Sequence, residues 1–407
     1  MTQTNPTVLA RKFALPLFPF AIMLASCSAS ASGDSQPAVS AIAGATDAEI
    51  VGPFSVTAHG EFEEPWAAAF EPGTGRLFIT EKPGNLKMFD PATGNIATVG
   101  GAPDVDYGGQ GGLGDIAFAP DYETSKMVYM SWAEAGENNT RGAVVGRGTL
   151  NCLTATSCAV EDIAVIWRQG PKTTGRGHYS HRIRFSPNGQ YLFVASGDRQ
   201  KMAPAQDTSN TIGTIVRLNL DGSPAEKNPM ADKGGATAEI WSYGHRNILG
   251  MDFDANGRLW EVEHGPAGGD ELNLVKMGAN YGWPAVSDGN HYNGDAIPDN
   301  ATRPEFASSV ITWTPVIAPG DMIFLDGDMF AEWKGTALIA GLQSKGLVHI
   351  TVNGDDATES ARYDFDARIR AVTEAPDGAI WVLEDGDGGR LLRLLPAGWD
   401  AEPQAGQ

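Results

Sequence analysis

A chain of 407 residues, 42% hydrophobic and 19% charged, can bury one large core or two. Its formal net charge of −21 disfavours nucleic acid as a partner, because phosphate binding needs a basic face. With 50 glycines and 25 prolines, the chain is turn-rich, which points to an all-β fold.

The first element is a targeting segment. Arg11 and Lys12 precede an apolar run from Phe13 to Met23, and no carboxylate occurs before Asp34. Leu24-Ala25-Ser26-Cys27 reads as a lipoprotein signal-peptidase site. This predicts a signal peptide over 1–26, a lipid on Cys27, and a periplasmic or outer-membrane location to which Ser28 is suited. Ordinary signal cleavage without lipid is the alternative. The run is too short for a permanent bilayer-spanning helix, so the lipid is the only membrane attachment expected. Residues 27–50, rich in Ser, Ala and Gly, read as a flexible tether, and 397–407 as a short tail.

Between them one phrase recurs: apolar alternation, a turn, then an apolar strand. It appears as Ala69–Gly73 before Arg76–Ile79, as Phe118–Asp121 before Met127–Met130, and as Phe185–Gly189 before Tyr191–Val194. It returns as Phe253–Gly257 before Leu259–Val262 and as Glu374–Gly378 before Ile380–Val382. A degenerate copy runs from Met322 through Trp333-Lys334-Gly335 to Ile339. Each copy carries hairpin chemistry. Six repeats over 51–396 predict a six-bladed β-propeller, with function carried on its loops. A pair of β-sandwiches is the alternative, which the regular repetition disfavours. Cys152 and Cys158, six positions apart, are expected to form a local disulfide in an oxidising compartment.

Chemistry concentrates in a few places. Gly244-His245-Arg246-Asn247 and Glu263-His264-Gly265-Pro266 flank the hairpin-like run Met251–Val262. A hairpin returns the chain to its starting edge, so Arg246-Asn247 and the Gly265-Pro266 carbonyls can face one pocket. That pairing suits an anion held with a hard cation. His178 follows Gly175-Arg176-Gly177 on a loop and is a candidate general base; a structural histidine is the competing reading. Arg368 and Arg370 share a strand face and repel unless an anion lies between them; the plain alternative is a solvated strand face. Gln110 sits in a Gly-rich loop with room to reach a ligand. Its segment Gly109–Gly114 matches GxGxxG by letter but lacks the strand and helix of a dinucleotide fold. Asp385-Gly386-Asp387 reads as a turn. Walker, Gly-x-Ser-x-Gly and His-Glu-x-x-His motifs are absent.

Several ordered motifs carry a resemblance: GGQGGLGDIAFAPDY, GHYSHRIRFSPNGQYLFVASGDR, GHRNILGMDF, EHGPAGGDELN, NYGWP followed by HY, and ARIRAV. Over roughly residues 60–395 the chain resembles the soluble sugar dehydrogenases that use pyrroloquinoline quinone (PQQ), the glucose/sorbosone dehydrogenase-like group. That resemblance implies a six-bladed propeller, PQQ and Ca²⁺ as cofactors, and an aldose substrate. It implies His178 as general base, and Gln110, Arg246, Asn247, Tyr292, Arg368 and Arg370 around the cofactor. It implies main-chain oxygens of Gly265 and Pro266 on the catalytic Ca²⁺. Glu271 and the Tyr281 carbonyl resemble a second, structural calcium site. Where the family carries a Leu-Lys, this chain has Leu342-Gln343; Gln343 keeps hydrogen bonding without the charge, and Lys345 is positioned by sequence to substitute. Gly177 stands where the glucose-specific branch has an acid.

The activity implied is oxidation of the sugar's C1 to a lactone, with electrons leaving to an external cytochrome or quinone and the chain working as a monomer or homodimer. Two other readings remain open at this stage: a calcium-dependent lactonase-type hydrolase, and a non-catalytic ligand-binding propeller lipoprotein.

Overall fold

The structure, a computed structural model, describes residues 48–154 and 156–399. The signal peptide, Cys27, most of the tether and residues 400–407 lie outside the described residues. Among the described residues no helix is long and apolar enough to cross a membrane.

Six antiparallel sheets form the fold. Their innermost strands are Pro65–Phe70, Leu113–Phe118, Ser180–Phe185, Ile248–Phe253, Pro319–Phe324 and Ile369–Glu374. Each contacts the next, and the last contacts the first, closing a ring. The molecule is a six-bladed β-propeller, with blades 1 to 6 named in that order. The six repeated phrases are the inner hairpin of each blade. In three of them glycine makes the turn: Gly189, Gly257 and Gly378 have φ of 69°, 73° and 82°. This left-handed region costs glycine least. Each donates its N–H three residues back, to Ser186, Asp254 and Ala375, at 2.8 Å.

Alternation along the strands explains the packing. Six apolar clusters fill the six spaces between neighbouring blades. Blade 6 is closed by an early strand: Phe54–Glu63 pairs with Asp387–Pro396, matching Phe54 to Pro396 and Val56 to Leu394. Joining the two ends in one sheet removes the open edges a linear stack would leave. Cys152 and Cys158 are disulfide-bonded in the outer hairpin of blade 2.

Length beyond compact blades goes into loops and long strands. Blade 4 holds the segment between Asp270–Leu274 and Ile311–Trp313, which includes Tyr281 and Tyr292. Residues just before each inner strand, together with the turns after each second strand, meet at one end of the ring axis.

Candidate active site

At that end lies a cavity of about 400 Å³ to which every blade contributes. Glu64, Trp66 and Lys82 come from blade 1, and Gly109 and Gln110 from the loop entering blade 2. Tyr179 to His181, Asn247, Leu249, His264, Ala318 and Leu342 continue the ring, and Arg368, Arg370, Asp385 and Gly386 complete it. The floor is made by Trp66, over which the Arg182 guanidinium lies at 4.1 Å. Arg182 is fully buried. It donates to the carbonyls of Leu249 and Gly320 at 2.5 and 2.6 Å and stands 3.4 Å from both Asp115 and Asp321. Arg182 also borders a second cavity at the opposite end of the axis, so this ion network separates the two mouths.

His178 sits beside the main cavity. Its backbone has φ of 47°, a strained region for a non-glycine residue that recurs at functional sites. The close turn depends on Gly197: a Cβ there would lie 2.2 Å from the His178 carbonyl. Gln110 accepts the His178 N–H at 2.6 Å, while its own N–H donates to the Arg176 carbonyl at 2.8 Å. The imidazole Nδ1 lies 2.7 Å from Asp198 Oδ1. Asp198 also accepts from the Gln200 N–H and from Trp283 Nε1, each at 2.8 Å. Burial works against the Asp198 charge, but these donors hold it below the usual carboxylate range. An ionised Asp198 accepts from Nδ1–H and leaves Nε2 as the basic nitrogen. Burial pushes His178 below the ordinary histidine value; Asp198 opposes this and the Arg246 charge adds to it. The ring is therefore a neutral base at neutral pH.

Positive charge is placed on two sides. Arg246 is buried, and its Nη1 and Nη2 donate to the His264 carbonyl at 2.9 Å and to Tyr292 Oη at 3.0 Å. Its Nε has no protein partner. Trp283 and Tyr292 flank its guanidinium at 5.2 and 5.9 Å. Tyr292 itself is 78% exposed. Across the cavity, Arg368 and Arg370 both donate to Asp385, at 2.8 and 2.7 Å. The anion that lets these like charges coexist is thus supplied by the chain, and the group keeps one net positive charge. Nearby imidazoles add none: burial takes His264 and His181 down to about 3.

A recess adjoins the cavity through His264 and is lined by Arg246, Glu263, Gly265, Glu271, Tyr281 and Trp283. Glu263 accepts the backbone N–H groups of Arg246 and Asn247, tying the two polar clusters together at 2.5 and 3.1 Å. Beside it, ligand atoms of His245, Glu261 and Glu263 lie within 4.8 Å of one another, all buried. Asn273 Nδ2 bonds Glu261 at 2.8 Å and Glu271 at 3.2 Å, and Asn300 Nδ2 bonds Glu271 at 3.3 Å. Glu261 Oε2, Asn273 Oδ1 and Asn300 Oδ1 have no partner. Burial opposes charge on His245, but Glu261 and Glu263 push it up to about 9. Burial and Glu263 push Glu261 up to about 7 and Glu271 well above its usual range. The oxygen donors here, three buried carboxylates with the bare amide oxygens of Asn273 and Asn300, are of the kind a hard divalent cation such as Ca²⁺ takes, and in its place the cationic His245 offsets part of their charge.

Of the residues singled out in the sequence, Gln110, Asn247, Arg368 and Arg370 line the cavity, and His178, Arg246 and Tyr292 border it. Gly265, Glu271 and Tyr281 line the recess, with Pro266 next in the chain. Gln343 is exposed and lines neither space. Lys345 pairs with Asp366 at 3.0 Å, outside both. Sequence reading missed Asp198, Asp385 and the pair Glu64–Lys82. A short turn of Gly and Asp after an apolar strand was the only local signal for the first two.

Fold and site together define a propeller with a buried histidine–aspartate pair and a guanidinium-lined mouth on its axis. The glucose/sorbosone dehydrogenase family matches residues 62–393, and the chain belongs to that family. The aldose sugar dehydrogenase YliI of Escherichia coli (strain K12) is 37% identical over 343 residues, which is 83% of this chain and 91% of that protein. The crystal structure of the soluble aldose sugar dehydrogenase from Escherichia coli in the apo form superimposes with a TM-score of 0.80 at 36% identity, covering 84% of this chain and 99% of that one. The PQQ-bound aldose sugar dehydrogenase from Streptomyces coelicolor gives 0.69 at 27% identity, covering 84% and 98%.

Proposed function

We propose that this chain oxidises aldose sugars at C1 to lactones, using PQQ and Ca²⁺, outside the cytoplasm. The observation that carries the reading is the His178–Asp198 pair standing beside a cavity whose net cationic groups are Arg246 and the Arg368–Arg370 pair. PQQ is a tricarboxylate, and planar guanidinium groups match carboxylates. Arg246, with its unpartnered Nε, and Arg368 with Arg370 would hold it, with Asn247, Gln110 and Tyr292 against its remaining edges. The main-chain oxygens of Gly265 and Pro266 would carry the catalytic Ca²⁺. Glu271, the Tyr281 carbonyl and the bare oxygens beside them would carry a structural one. Gln343 and Lys345 line neither space, and this set does not include them.

When bound, the quinone supplies the acceptor for the hydride leaving C1. His178 does the rest of the chemistry, taking the anomeric hydroxyl proton at Nε2 while Asp198 steadies the imidazolium. Gln110 fixes the His178 backbone. The Trp66–Arg182 floor limits water entry from the opposite mouth. Electrons then leave to an external acceptor. A lactonase-type hydrolase would want a carboxylate cage on the axis; here the carboxylate cluster lies off the axis in blade 4. The YliI resemblance and the N-terminal segment support, respectively, the substrate class and the extracytoplasmic location.

The deciding experiment is reconstitution of the purified chain with PQQ and Ca²⁺, followed by dye reduction over an aldose panel. Turnover that requires both additions is expected. Absence of PQQ uptake by calorimetry at millimolar Ca²⁺ would rule the reading out.

A further inference from the structure

The blades repeat one device at the mouth. The residue or loop entering a blade meets the turn after its second strand. Blade 3 joins His178 to Asp198 at 2.7 Å, blade 4 joins Arg246 to the His264 carbonyl at 2.9 Å, and blade 6 joins Arg368 to Asp385 at 2.8 Å. Blade 1 has the same construction: Glu64 enters the blade, Lys82 follows its second strand, and the two pair at 3.1 Å. Both line the cavity, and nothing in the chemistry above uses them.

This wall is built rigidly. Glu64 holds φ of 43°. The Lys82 N–H donates to the Glu64 carbonyl, and the Lys82 carbonyl accepts from the Leu113 N–H, both at 3.0 Å. Gly112 allows this approach, since a Cβ there would lie 2.1 Å from the Lys82 carbonyl oxygen. Tyr107 completes the group. Its hydroxyl donates to Glu64 Oε2 at 2.9 Å, and its carbonyl accepts from Arg176 Nη1 at 2.7 Å. Its ring is 48% exposed, with the Lys82 ammonium 5.9 Å from its centre.

Charge decides what this side of the cavity suits. At the cavity, blade 4 through Arg246 and blade 6 through Arg368 and Arg370 on Asp385 present net positive charge and fit an anion. Glu64 and Lys82 cancel each other, so their side fits a neutral ligand rich in hydroxyl groups. A carboxylate and an ammonium side by side can accept from one hydroxyl and donate to its neighbour, and an exposed tyrosine face can pack on a pyranose ring. We propose that Glu64, Lys82 and Tyr107 form the sugar-recognition subsite, reading hydroxyl groups away from C1 while His178 addresses C1. This inference rests on the dehydrogenase reading for its substrate class, but its binding test does not.

The test uses the full mature chain and two variants, Lys82→Met and Tyr107→Ala; the second stands on the exposed rim and serves if the first fails to fold. Saturation-transfer NMR of glucose and other aldoses is run on the apoprotein. Steady-state kinetics and PQQ calorimetry are run on the reconstituted protein. Loss of a charge-assisted hydrogen bond predicts KM rising roughly 10- to 100-fold, with kcat within about twofold, PQQ affinity unchanged, and the NMR sugar signal lost. Unchanged KM and NMR signal in both variants overturn the proposal. A fall in PQQ affinity matching the KM rise also overturns it, by assigning Lys82 to the cofactor. If sugar binding is lost in the variants but the reconstituted parent shows no turnover, the subsite stands and the dehydrogenase reading fails.

Discussion

Nδ1 of His178 lies 2.7 Å from Oδ1 of Asp198, and this contact decides which imidazole nitrogen is basic. Asp198 is itself held by Trp283 Nε1 and the Gln200 N–H, so the tautomer is set by contacts from blade 3 and from the long segment of blade 4, whose Trp283 also flanks Arg246. Asp198→Asn presents an amide that can donate to Nδ1 and favour the wrong tautomer. Turnover should fall by ~10²–10⁴-fold, the range typical of general-base catalysis. PQQ calorimetry should show unchanged affinity. Retained kcat in this variant would remove Asp198 from the mechanism.

The pH profile follows from the same ring. Burial places His178 below the ordinary histidine value, and a base acts only when unprotonated. The acid limb of kcat/KM should therefore lie below pH ~6.5. Arg246 lowers this value and Asp198 raises it. Arg246→Gln should shift the limb to higher pH, whereas Asp198→Asn should shift whatever activity remains to lower pH. A profile that Arg246→Gln leaves in place would show that another group titrates.

Arg370 is the more buried partner of the guanidinium pair, with a side chain 13% exposed against 49% for Arg368. Arg370→Gln should weaken PQQ binding by roughly 10- to 100-fold, since a hydrogen bond to a charged group contributes about 1.5–3 kcal/mol. At saturating PQQ, kcat should recover. Calorimetry on the variant reads the first effect and steady-state kinetics the second.

The blade 4 carboxylate cluster predicts stabilisation by calcium. At a hundredfold excess over Kd, a ligand binding only the folded state adds about 2.7 kcal/mol. Melting in Ca²⁺ against EDTA should show this as a rise of several degrees, and Glu271→Gln should shrink it. A calcium-independent melting temperature for the parent chain would count against the site.

The axial ion network makes a separate prediction. Arg182 is fully buried between Asp115 and Asp321. Arg182→Ala removes one of the two guanidinium groups that face these acids, Arg184 being the other at 3.2 and 3.6 Å, at a cost of up to about 3–5 kcal/mol. Urea denaturation reads the loss; a change under about 1 kcal/mol would mean that water replaces the guanidinium without strain.

The blade count and the inner hairpins were legible because their signals are local. A turn such as Pro187-Asn188-Gly189 and the alternation beside it encode a hairpin within a dozen residues. His178, Arg246 and the Arg368–Arg370 pair stood out for similar reasons, each in a short polar segment against an apolar strand. The change from the family's Leu-Lys to Leu342-Gln343 was legible as well, but that Lys345 pairs with Asp366 only the structure shows.

The chain's order alone determined the number of blades, the disulfide and the residue types available for chemistry, since each is written in short-range spacing. Tertiary structure alone decided the partnerships. Asp198 on His178, Asp385 between two arginines, and Glu64 on Lys82 are joined across turns whose meeting depends on strand register. Ring closure through Phe54–Glu63 then carries all six sets of turns to one axis. Side-chain reach is a few ångströms, so which groups share a cavity depends on that closure and not on their distance along the chain.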